Sequence, residues 1–340
     1  MMAHAEWQLE GPTPTASFYL TVEQLRRKPQ LAGAAVELVD AITVAGPSGP
    51  EVVRGLRDSG LELPFLCDGL GYANKGLPHP ESWVSLQRSV GAACPLLPGV
   101  YLGWDKDDDR EFLGAVQEQS RIAADLGAMI LVAIDARWIA RKTGIVVDAL
   151  GSVGQSVALV LVHPGDPLSI NGAVQGLRRV VQRVGSVYLL RSDHGAIGAL
   201  AFGARHAAVG LMTSTRHYAP PTRRTWRRPG HSARLFVRPL IDWYLASDVG
   251  GWTAAGQSII CPLPCCGGSS LARFLDTDED ADWHNMNALA DLADYVIRAP
   301  AADRATAFLE QCRSATAWYG LAGFKGPDKP KAQLTGWVLS

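Results

Sequence analysis

Short β-branched and apolar runs alternate along the chain with longer segments whose apolar positions recur at helical spacing. The short runs lie at residues 17–20, 35–42, 63–67, 99–104, 129–134, 157–162, 186–190 and 207–212, and read as strands. Between them, residues 50–58, 110–126, 173–184 and 196–205 read as helices; in the second, Phe112, Val116, Ile122 and Leu126 share one face. Parallel neighbours need crossover connections, so eight strands alternating with helices predict a parallel sheet. Eight is also the number that closes a (β/α)8 barrel of roughly 250 residues, which makes the expected fold an α/β TIM-like barrel. A doubly wound open sheet is the competing arrangement. The rhythm breaks after residue 245. The expected organisation is therefore a barrel over 1–245, a metal-binding insertion over 246–290, and closing helices (286–298 and 301–318) with a tail over 291–340. Residues 325–331, rich in Gly, Pro and Lys, read as a loop.

Composition narrows the classes. With 340 residues, 47% hydrophobic and 19% charged, the chain has ample material for a core and no signature of disorder. A net charge of −1 excludes a wholly basic coat but not a local basic patch. There is no apolar run long enough to span a membrane and no secretory signal at the start, so the expected compartment is cytoplasmic, with no membrane partner.

Chemistry concentrates in three places. Acids or a histidine follow the strand runs repeatedly: Asp68, Asp105, Asp135 and Asp193, with His163 in the equivalent place. Carboxylates around a barrel mouth can divide general acid, general base and nucleophile roles, although an Asp at a strand end also serves to cap the next helix. Asp68 heads Asp-Gly-Leu-Gly-Tyr, where Gly69 and Gly71 would let a planar ligand approach the backbone and Tyr72 would flank it. Residues 215–238 hold seven arginines and no acid, interleaved with His217, Tyr218, Trp226 and His231. Arg216, Arg223, Arg224, Arg227 and Arg228 suit phosphate contacts beside aromatics that can stack on bases; the plainer reading is a solvated, Pro-rich loop. Finally, Cys261, Cys265, Cys266 and His284 form a donor set for structural Zn2+. Adjacent cysteines seldom bind one ion together, which leaves open that one of Cys265 and Cys266 is only a neighbour.

These stretches carry a resemblance. Phe-Leu-Cys-Asp-Gly-Leu-Gly-Tyr at 65–72, the run from Tyr188 to Ser214-Thr215-Arg216, and Cys261 through His284-Asn285 together resemble the tRNA-guanine transglycosylase superfamily, including relatives that insert 7-deazaguanine bases into DNA. The resemblance implies a barrel with a zinc-bearing insertion that exchanges guanine in tRNA or DNA for a 7-deazaguanine-type base. A carboxylate would attack C1′ while a second acid moves protons. It implies that Asp68 is the acid/base residue and that Asp105 reads the purine edge, with Gly69, Gly71, Tyr72 and His163 around the base. A homodimer through the zinc region, or a heteromeric partner, is also implied. Three departures stand out. The family's nucleophilic Asp position is Gly210, the middle cysteine of its Cys-x-Cys is Leu263, and its Gly-Gly-Leu segment has no counterpart. The nucleophile is then expected at Asp193, with Asp135 the other position placed for it. The alternatives are a catalytically silent nucleic-acid-binding subunit and an enzyme acting on a nucleoside or small glycoside.

Overall fold

The structure, a computed structural model, describes residues 9, 11, 13–73, 79–104, 109–219, 233–275 and 280–339. The first half runs β1 (Thr15–Thr21), α1 (Val22–Arg27), α2 (Gln30–Val36), β2 (Ala41–Ala45), α3 (Gly49–Asp58), β3 (Phe65–Asp68), α4 (Pro80–Ser89) and β4 (Val100–Leu102). It continues with α5 (Asp109–Leu126), β5 (Ile130–Asp135), α6 (Ala136–Arg141), α7 (Thr143–Gly151) and β6 (Val157–Val162). Next come α8 (Ala173–Arg183), β7 (Val187–Ser192), α9 (Gly195–Ala201), β8 (His206–Gly210) and the short α10 (Thr213–Arg216).

All eight strands pair in parallel, in the order β3-β2-β1-β8-β7-β6-β5-β4. Strand β1 pairs with β2 (Ser17 opposite Ala41) and with β8 (Phe18 opposite Val209), so first and last strands meet as barrel closure requires. That pairing excludes the doubly wound sheet. The curl is interrupted between β3 and β4, where single hydrogen bonds cross the seam: Ala93 N–H donates to Phe65 O and Gly71 N–H to Pro98 O, both at 2.8 Å. Alternation along each strand separates two apolar clusters. Tyr19, Leu66, Leu131, Val160, Tyr188 and Leu190 fill the barrel. Phe18, Leu20, Val44, Phe65, Val132 and Leu189 face the helices. Both faces are buried, which is why these strands read as nearly unbroken apolar runs.

After the barrel come an antiparallel hairpin, β9 (Arg234–Val237) and β10 (Asp242–Leu245), then α11 (Ala246–Ala254), α12 (Ala281–Ile297), α13 (Arg304–Tyr319) and α14 (Ala332–Leu339). This moves the expected boundaries. The hairpin begins before residue 245, and α12 crosses residue 290. The closing helices expected at 286–298 and 301–318 are α12 and α13, and the stretch expected as a tail ends in a further helix, α14, packed on the outer core. Trp337 of α14 stacks on Phe202 just past α9 at 5.6 Å and meets Phe308 of α13 edge-on at 5.2 Å. Two local expectations are corrected as well. The stretch placed in a strand at 35–42 begins as helix, because Leu31, Ala32 and Ala35 bury one helical face, and the strand starts only at Ala41. The helix expected over 196–205 ends at Ala201, short of Gly203, whose φ of 116° leaves the helical region. No described helix is long and apolar enough to cross a membrane.

Candidate active site and metal centre

Asp68 closes β3 and is fully buried at the C-terminal end of the barrel. Its Oδ2 accepts the Tyr19 hydroxyl at 2.5 Å and the Tyr72 hydroxyl at 2.8 Å, while Oδ1 accepts the Leu70 backbone N–H at 2.8 Å. Burial and then the Asp68 charge push both phenols well above their ordinary range, so they stay protonated as donors. Arg191, held at φ 54° on β7, brings its guanidinium to the Tyr72 hydroxyl at 3.3 Å and to the Ser214 carbonyl at 2.7 Å. It lies 4.6 Å over the Tyr218 ring, and Tyr218 meets Tyr72 edge-on at 5.2 Å. Burial works against the Arg191 charge, but Tyr72, Tyr19 and Asp68 together outweigh it. The result is a carboxylate–phenol–guanidinium group roofed by an aromatic ring, suited to a planar polar ligand. Tyr218 belongs to the aromatics read beside the arginines, whereas Tyr19 and Arg191 join the site only through the fold, from inside β1 and near the end of β7.

The other expected residues fall in varied settings. Asp135 ends β5, and Arg137 grips it through Nε at 2.8 Å and a terminal nitrogen at 2.7 Å, with the Arg137 backbone N–H on the same Oδ1 at 2.9 Å. The capping role and a charged pair are thus combined in one side chain. Tyr101 nearby is raised to about 12, first by burial and then by Asp135. His163, past β6, is half-buried, its backbone N–H donating to Tyr218 O at 2.8 Å and its Nδ1 accepting the Gly165 N–H at 3.2 Å. Gly69 has a packing reason: a Cβ there would lie 2.9 Å from Cζ2 of Trp83. Gly71 donates across the β3–β4 seam. Asp105, Arg223, Arg224, Arg227 and Arg228 lie outside the described residues.

One expectation in the Arg-rich stretch is corrected. Arg216 is only 2% exposed, and its guanidinium stacks 3.6 Å over the Trp243 ring, which removes it from any surface phosphate contact. Asp193 is buried just past β7, and its Oδ1 accepts Gln333 Nε2 at 2.9 Å and Gly195 N–H at 2.8 Å. Its Oδ2 accepts no hydrogen bond among the described residues and faces His217 Nε2 at 3.9 Å.

The thiol cluster is compact. Ligand atoms of Cys261, Cys265, Cys266 and His284 all lie within 4.8 Å of one another, which brings both adjacent cysteines into one donor set. The Cys265 and Cys266 sulfurs are 3.7 Å apart and stand 3.8 and 3.4 Å from His284 Nδ1. Bonds of about 2.3 Å to sulfur and 2.0–2.1 Å to nitrogen give tetrahedral edges of about 3.5–3.8 Å, so the donors fit a single four-coordinate ion. Gly267 and Gly268, at φ 55° and 80°, turn the chain back around the knuckle. His284 Nε2 donates to Phe236 O at 3.1 Å, which directs Nδ1 to the cluster. The neighbouring Asn285 accepts Phe236 N–H at 2.7 Å and donates to Arg234 O at 2.8 Å. The His-Asn pair on α12 thereby clamps strand β9. Burial disfavours a thiolate at Cys266, but hydrogen bonds from His284 and Arg273 bring it down to about 6.

No family model matches the chain, and no curated protein matches it. Solved structures do. One is 3-keto-L-gulonate-6-phosphate decarboxylase from Vibrio cholerae O1 biovar El Tor str. N16961, with 14% identity, 58% of this chain and 88% of that chain covered, and a TM-score of 0.37. Another is a mutant tryptophan synthase α-subunit from Pyrococcus furiosus, with 15% identity, 58% and 87% covered, and a TM-score of 0.37. Likeness at this level bears on no activity. The barrel assignment rests on the strand order itself.

Proposed function

We propose that this chain is a zinc-bearing, transglycosylase-like enzyme that exchanges guanine for a 7-deazaguanine-type base in tRNA or DNA, with Asp68 as the acid/base carboxylate. The observation that carries this reading is the Asp68–Tyr19–Tyr72–Arg191 group at the strand ends, in the segment that resembles the family's Asp-bearing strand. A buried carboxylate with protonated phenols and an adjacent guanidinium can hold or pass a proton at the edge of a planar base. The nucleophilic role falls on Asp193 or Asp135: Arg137 holds both oxygens of Asp135, whereas Gln333 and Gly195 hold only Oδ1 of Asp193. Cys261, Cys265, Cys266 and His284 would hold Zn2+ structurally, fixing the hairpin against α12.

A second reading has its own observation. At Gly210, where the family's nucleophile would stand, an added Cβ would lie 2.3 Å from the backbone of Thr215. A chain that has closed this position fits a nucleic-acid-binding partner subunit. Release of labelled guanine from tRNA and from duplex DNA separates the two. The enzyme reading predicts release that Asp68→Asn abolishes and that one of Asp193→Asn and Asp135→Asn abolishes, and the subunit reading predicts binding without release.

A further inference from the structure

Three loops at the C-terminal ends of consecutive strands bring a second donor set together, outside the Asp68 group and the thiol centre. Asp166 follows β6, Asp193 follows β7, and His217 follows α10 after β8. One ligand atom from each lies within 4.8 Å of the others. Asp166 Oδ1 accepts the Leu168 N–H at 2.8 Å, and Asp193 Oδ1 is held by Gln333 and Gly195. The second oxygen of each carboxylate accepts no hydrogen bond among the described residues. Asp193 Oδ2 faces His217 Nε2 at 3.9 Å, too far for a hydrogen bond and within the roughly 4.2 Å that two bonds of about 2.1 Å can span across one ion.

An independent feature points the same way. His194 is 2% exposed, neither ring nitrogen has a hydrogen-bond partner among the described residues, and its Nδ1 is directed at Asp193 Oδ1 from 4.0 Å. Buried imidazoles ordinarily find partners. Arg216 also faces the cluster, as does Lys331, which pairs with Asp242 at 2.8 Å.

We propose that Asp166, Asp193 and His217 form a second metal site for a divalent transition-metal ion such as Mn2+ or Zn2+, with His194 at its edge. Carboxylate and imidazole donors select a harder ion than the three-thiol set does, so the two sites are chemically distinguishable. Asp166 and His217 are half-buried, which leaves a way in and coordination positions for water. The site does not depend on the base-exchange reading.

The test is Mn2+ titration of the full chain, with its thiol site first filled with Zn2+, followed by calorimetry and by the loss of the free-Mn2+ electron paramagnetic resonance signal. One further equivalent should bind in the wild type, and should be lost in Asp166→Asn and in His217→Gln. Both of those variants leave the Asp193 contacts to Gln333 and Gly195 in place, and a circular dichroism spectrum checks that they fold. No Mn2+, Co2+ or Zn2+ bound beyond the thiol equivalent, or an equivalent that survives both substitutions, overturns the site.

Discussion

A Cβ placed on Gly210 would lie 2.3 Å from both the carbonyl carbon and the carbonyl oxygen of Thr215. The last barrel strand therefore packs directly against the backbone of α10, and no side chain fits between them. We expect Gly210→Ala to cost about 2–3 kcal/mol, as overpacked cores do, and Gly210→Asp to cost more without adding activity. Urea unfolding of both variants, beside a guanine-release assay, checks this. A stable Gly210→Asp variant with raised activity would contradict it.

The metal centre should stabilise one region and leave the barrel alone. His284 and Asn285 clamp Phe236 and Arg234, so chelation or Cys266→Ser should loosen β9, β10 and the start of α12. Hydrogen exchange should accelerate over residues 234–245 and remain unchanged in β5 and β6. Uniform loss of protection through the barrel would show that the ion supports the whole fold.

At the floor of the barrel, His206 accepts or donates to Thr15 Oγ1 at 2.7 Å and Ser17 Oγ at 2.9 Å, and burial lowers it to about 3. Its folded value lies below the ordinary 6.5, so the unfolded chain binds the extra proton first. The contribution to stability is complete above about pH 6.5 and declines as pH falls toward 3, by at most about 1.4 kcal/mol per pH unit. Urea midpoints measured across this window should fall less steeply in His206→Gln. Parallel slopes in the two proteins would remove His206 as the cause.

Arg216 should behave differently from the other arginines expected to contact nucleic acid. Arg216→Ala, which strips a guanidinium from the Trp243 face, should lower stability and leave the salt dependence of nucleic-acid binding unchanged. Neutralising Arg223, Arg224, Arg227 and Arg228 together should weaken tRNA and DNA binding, and reduce the slope of log K against log salt by about 3–4. Equal slopes would place the nucleic-acid contact elsewhere or nowhere.

Much of this architecture is legible in local patterns. Short unbroken apolar runs and helical spacing give the eight strands and the main helices, and the Cys-rich turn followed by His284 gives the donor set. What local pattern cannot give is which strand ends converge. Tyr19 and Asp68 are separated by 49 residues yet share a hydrogen bond, and Gln333 reaches Asp193 across 140 residues. Asp166 went unnoticed because it lies in a loop four residues past β6, and only the fold brings it to Asp193 and His217. The capping alternative held part of the truth for Asp135 and Asp193, whose Oδ1 atoms each accept a backbone N–H two residues on. The hairpin at 234–245 is masked in sequence by the arginines around it, since its apolar runs are only three residues long. Residues near 35 were misread because Ala and Val fit a helix face as well as a strand.

The most direct test of base exchange is incorporation of a labelled 7-deazaguanine base into tRNA and into duplex DNA, measured side by side for the zinc-loaded wild type and Asp68→Asn. Label entering one polymer with the wild type and absent with Asp68→Asn is the predicted result. Label entering neither polymer, from protein that is folded, fully zinc-loaded and bound to nucleic acid, would contradict an exchange reaction at Asp68 and leave the partner-subunit reading.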